Sequence, residues 1–76
     1  SDSYWDKYES EANNFAAQLL MPKSLVISEG SKIITRYKEV NNVGGMPVED
    51  FIEKISRSLQ VSTKAMEYRL KNLNVI

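Results

Sequence analysis

Tyr4-Trp5-Asp6-Lys7-Tyr8-Glu9-Ser10-Glu11-Ala12-Asn13-Asn14-Phe15-Ala16-Ala17-Gln18-Leu19-Leu20-Met21-Pro22 is the stretch that decides the fold class. Trp5, Tyr8, Ala12, Phe15, Ala16, Leu19 and Leu20 recur at the i, i+3/i+4, i+7 spacing of one helical face. Ser3 is placed to cap the N-terminus, and Asp6 stands where a capping box takes its acid. Pro22 disfavours helix at Met21 and cannot extend the ladder, so the spacing predicts a helix over Tyr4 to Met21.

Working outward, Lys23-Ser24 opens a second predicted helix running to about Val40. Val26, Gly30, Ile33, Ile34, Tyr37 and Val40 share its face. Gly30 costs about 1 kcal/mol relative to alanine inside a helix. It either permits a close helix–helix approach or splits the segment. Asn41-Asn42-Val43-Gly44-Gly45 breaks the pattern with turn residues. Pro47 fits the first turn of a third helix, with Glu49 and Asp50 near its N-terminal dipole. Val48, Phe51, Ile52, Ile55 and Leu59 form its stripe. Ser62 is the expected cap of a fourth helix, Thr63 to about Leu73, with Val61 and Met66 placed as a hydrophobic staple. Ala65, Met66, Leu70 and Leu73 face inward. No stretch alternates as a strand would. The expectation is all-α, a small bundle of about four helices.

The chain has 76 residues, enough for one small domain. Such a chain buries only about 60–65 % of its unfolded surface, so its core is thin. It has no cysteine and no histidine. That removes disulfides, thiolate metal sites and the commonest general base and metal ligand. Ten basic and ten acidic residues balance, so bulk charge does not point to nucleic acid or an anionic membrane. No apolar run approaches the roughly 18 residues of a membrane span, and no secretory signal is evident. These features fit a cytoplasmic protein. The opening Ser1-Asp2-Ser3 lacks an initiator methionine, and we read the chain as a piece of a longer protein.

Two regions carry candidate chemistry. On a helix, Glu9 and Asn13 lie one turn apart and point the same way. Glu9 sits between Trp5, Ala12, Ala16 and Leu20 at the border of the apolar stripe, where a carboxylate is half desolvated. Glu11 lies toward the other margin, beside Tyr8 and Phe15. Both are either oriented oxygen ligands or solvated flank acids. In the second region, Ile55, Leu59, Val61, Met66 and Leu70 are spaced to pack a helix-turn-helix corner. Thr63, Lys64, Glu67, Tyr68, Lys71 and Asn72 are then exposed, with Arg69 between that face and the packed one. From Leu59 onward the net charge is only +2, a faint nucleic-acid footprint. Trp5, Tyr8, Phe15 and Tyr37 read as packing aromatics, and Met21 and Met66 as core fillers.

The string from Glu9 to Pro22 resembles the E-x-E-A-N-x-F-A-A-x-L-L-M-P segment of the ImmA/IrrE family of zinc metallo-endopeptidases. Leu59 to Leu73 is similar to that family's helix-turn-helix-like ending, with Gln60 in place of its usual glycine. Residues 23–47 match only loosely. The resemblance implies an upstream H-E-x-x-H helix, two histidines for zinc and a glutamate to activate water. It implies a third protein ligand on the helix of residues 1–22, Glu9 or alternatively Glu11, with Asn13 orienting the groups around it.

On that resemblance, residues 1–22 form the third-ligand helix, 23–45 a linking helix and loop, and 46–76 the helix-turn-helix-like end. The parent then holds zinc and cleaves a helix-turn-helix repressor of a phage or mobile element. This chain alone holds no metal and is inert. The alternative is a DNA-binding or protein-interaction module, with Thr63, Lys64, Tyr68, Lys71 and Asn72 as contacts. The expected partners are the missing N-terminal catalytic segment, the repressor substrate and a second copy packed through the first helix. DNA is a less expected partner, and a membrane is not expected.

Overall fold

The structure, a computed structural model, describes residues 15–76. Among the described residues there are four helical stretches and no strand. The described part of the first helix, α1, covers 15–20 and ends ahead of Pro22, as the sequence predicts. It is followed by α2 (Lys23–Asn41), α3 (Val48–Ser58) and α4 (Thr63–Asn72). Pro22 and Pro47 each sit one residue ahead of a helix, with φ near −57°. The ring fixes that dihedral, so the chain enters the helix without a side-chain cap. Pro47 therefore precedes the first turn of α3 instead of lying inside it.

The core draws on every helix: Ala17 and Met21 from the α1 end, Val26 from α2, Phe51 and Ile55 from α3, Met66 and Leu70 from α4. Ile55, Met66 and Leu70 are wholly excluded from solvent. Each such side chain contributes about 1.5–3 kcal/mol relative to exposure. Gly30 lies in the unbroken α2 and resolves the choice posed by the sequence in favour of close approach. A methyl group there would stand 3.2 Å from Phe51 Cζ and 3.7 Å from Ile55 Cδ1.

The ends of α2, α3 and α4 close in one way. A residue with positive φ follows each helix: Asn42 (54°), Gln60 (58°) and Asn74 (60°). The next amide then reaches back five residues: Val43 to Lys38 O, Val61 to Ser56 O, and Val75 to Leu70 O. This is the Schellman arrangement, which satisfies carbonyls that a helix end leaves unpaired.

Several expected core positions are exposed. Ile34, Val40 and Val48 lie on the predicted stripes but face solvent, Val40 at 74 %. Ile34 and Val48 line an open cleft together with Met46 and Phe51, and for Val40, near the end of α2, the reason is length. The 19-residue α2 runs about 28 Å whereas the 11-residue α3 runs about 16 Å, so the far end of α2 has little to pack on. Phe15, expected as packing, is 66 % exposed, and Leu19 and Leu20 are equally open. What α1 buries against its own chain is the neighbouring edge, Ala17 and Met21. The predicted positions Trp5, Tyr8 and Ala12 lie outside the described residues. Among the described residues, no helix is long and apolar enough to cross a membrane.

Candidate functional site

Helix α4 is held at its start by the expected cap: the Ala65 amide donates to Ser62 Oγ at 3.1 Å. Met66, the staple position, is fully buried, and Val61 packs against the core. These two devices fix where the first turn of α4 stands. Arg69, two turns on, is only 5 % exposed. Its Nε–H donates to the Met21 carbonyl at 2.8 Å, and its Nη1 donates to Asn72 Oδ1 at 2.9 Å. The end of α1 has no Schellman closure, because Pro22 follows at once. A guanidinium from α4 satisfies the terminal carbonyl instead, and its charge suits the negative end of the helix dipole.

Between the two helices docked this way runs an open groove of about 250 Å³. Ala16, Leu20 and Met21 form one wall, and Val61, Ala65 and Tyr68 the other, with Lys64 at the rim. Small-molecule sites usually begin near 300 Å³ and enclose most of their ligand. An open cleft of this size and apolar character suits side chains of a packed partner better than a free metabolite.

The proposed contact residues divide. Thr63, Lys64, Tyr68, Lys71 and Asn72 are all exposed on α4. The structure brings Lys64 and Tyr68 to the groove beside α1. Lys71 Nζ is engaged with Glu67 Oε1 at 3.0 Å, and Asn72 accepts from Arg69. The five do not present one unengaged basic surface, which is what phosphate contact asks for.

Glu9, Glu11 and Asn13, the expected metal ligand, its alternative and the supporting amide, lie outside the described residues. Among the described residues there is no group of three histidine, cysteine or acidic side chains able to hold a metal. The whole sequence has no histidine and no cysteine, so carboxylates are its only ionised donors. This chain's donor set does not fit a zinc site by itself.

Arg69 is the residue of this region that sequence reasoning underrated. It lies three residues after Met66 and four before Leu73, so it falls inside the buried stripe of α4 and not at its border. That spacing was the available signal. Comparison with family models, with curated proteins and with solved structures found no match.

Proposed function

We propose that this chain is the C-terminal helical part of a zinc metallopeptidase of the ImmA/IrrE type, acting on a helix-turn-helix repressor. The observation that carries the reading is the state of α1. Its described residues are apolar apart from Gln18. An apolar helix end of that kind calls for cover on more than one side. Yet among the described residues only the Ala17–Met21 edge is covered, and Phe15, Leu19 and Leu20 are about two-thirds exposed. By sequence spacing, the predicted helix carries Glu9 and Asn13 on the same side as Ala16 and Leu20.

In this reading the catalytic segment lies along that side and supplies both histidines and the water-activating glutamate. This chain supplies one carboxylate, Glu9 or Glu11, Asn13 to orient it, and a braced helix to carry them. Arg69 and the core beneath Met21 set where that helix stands. Zinc belongs to the joined protein, and the 76 residues alone are inert.

The test is the reading frame upstream of Ser1. An H-E-x-x-H within some tens of residues supports the peptidase, and a frame without it overturns the reading. The alternative, an interaction module, is favoured by one observation: the α1–α4 groove is apolar with a single cation, Lys64, at its rim. A stable complex of this chain with a helical peptide would support it.

A further inference from the structure

Among the described residues, the groove between α1 and α4 is bordered by charge of one sign. Lys64 is the single charged side chain lining it, and no acid does. Lys64 has no ion-pair partner among the described residues. The ten-residue α4 begins at the same place, since its cap Ser62 also lines the groove. That end is the positive pole of the helix dipole. Arg69 adds to the same sign. It is 5 % exposed and bonded to the wall residue Met21, yet both its acceptors are neutral, the Met21 carbonyl and the Asn72 side-chain amide. Water screens a buried cation poorly, and among the described residues no carboxylate balances this one.

We infer that this groove takes the apolar face of an amphipathic helix from a partner protein, with an acidic residue of that helix paired to Lys64. An open apolar cleft between two helices receives such a face through anchors at i, i+3/i+4 and i+7. The alanines at 16 and 65 leave room for the backbone of a third helix to come close. A nucleic acid would answer the charge but not the apolar walls. The described helices of a second copy do not answer the charge. Ile27 and Ile34, exposed on one side of α2, have Lys23 and Lys38 one turn away and no acid at that spacing. Leu25, one turn before Glu29, has no other exposed aliphatic residue at i+3, i+4 or i+7. The 15–21 end of α1 carries no charge at all. The inference rests on the interaction-module reading of the groove and adds the chemistry of the occupant; it does not rest on the peptidase reading.

The probe is a designed helical peptide with leucines at i, i+4 and i+7 and a glutamate at i+3, beside a twin with glutamine in place of the acid. Each is titrated into the 76-residue chain while nuclear magnetic resonance follows the amides of Ala16, Lys64 and Ala65. Both peptides are expected to shift these amides. The glutamate peptide is expected to bind about 2–5-fold tighter at low salt, the range of an exposed ion pair. Lys64→Gln is expected to cut that ratio by about half or more. Ala16→Glu, at an exposed wall position, is expected to weaken the glutamate peptide more than its twin, with helical circular dichroism unchanged. Equal affinity of the two peptides, or a ratio untouched by Lys64→Gln, overturns the inference and leaves a groove that takes helices without regard to charge. Binding of neither peptide, or shifts only on other surfaces, overturns the inference and the interaction-module reading together.

Discussion

Arg69 Nε donates a 2.8 Å hydrogen bond to the carbonyl of Met21, joining the end of the first helix to the middle of the last across 48 positions of chain. The contact is buried, and it does for α1 what the Schellman turns do for α2, α3 and α4. It also explains why α1 can be anchored while most of its described residues are exposed. Among the described residues, one apolar edge and one charge-assisted hydrogen bond join it to the domain.

Arg69→Ala leaves the Met21 carbonyl without its donor in a dry setting. A hydrogen bond from a charged group is worth about 1.5–3 kcal/mol, and the unsatisfied carbonyl adds to the loss. We expect a lower urea midpoint corresponding to about 2–3 kcal/mol. Arg69→Lys, which keeps the charge but not the planar fork, should fall between. Hydrogen exchange gives a local check: the Met21 amide, which donates to Ala17 O at 2.8 Å, should lose protection first. An unchanged Met21 amide in Arg69→Ala would contradict the anchoring role.

Gln60 holds φ 58° in the turn between α3 and α4. A side chain in that region costs about 1–2 kcal/mol, and glycine escapes most of it at some cost in unfolded-state entropy. Gln60→Gly is therefore expected to stabilise the chain by about 0.5–1 kcal/mol in thermal or urea unfolding. Loss of stability would mean that the Gln60 side chain contributes more than the backbone strain it causes.

At Gly30 two effects oppose. Alanine gains about 1 kcal/mol of helix propensity but meets the Phe51 ring at 3.2 Å. Gly30→Ala should lie within about 1 kcal/mol of the parent, whereas Gly30→Leu should cost about 1–3 kcal/mol or more through overpacking. Equal stability of all three would show that α2 and α3 do not approach as closely as the structure has them.

The α4 surface is expected to leave duplex DNA unretarded even at low salt. Its net charge is small, Lys71 is engaged with Glu67, and Asn72 is engaged with Arg69. A retarded band that fades as salt rises would reveal phosphate contacts and counterion release, favouring the DNA-binding alternative.

Most of the fold could be read from local signals. Pro22 ends α1, Ser62 caps α4, and Val26, Phe51, Ile55, Met66 and Leu70 are buried where periodicity placed them. Those positions depend on short-range chemistry and on faces that meet within one chain. Phe15, Leu19 and Leu20 illustrate the opposite case. Periodicity marks them as wanting cover, but it carries no information on which molecule provides it. Val40 was misplaced because a stripe records phase and not the length of the helix opposite. Arg69 was placed between the exposed face and the packed one, whereas its spacing from Met66 and Leu73 already put it within the packed stripe. Of the candidate site, the groove wall on α4 was partly legible through Lys64 and Tyr68. The expected ligand position 9, its alternative 11 and the supporting position 13 fall outside the described residues.

The most direct measurement is the zinc content of the protein translated from the entire reading frame that contains these residues. The account predicts one zinc per chain, lost on Glu9→Gln or, if the alternative ligand is used, on Glu11→Gln. A zinc-free protein, or full zinc retained by both variants, would contradict it.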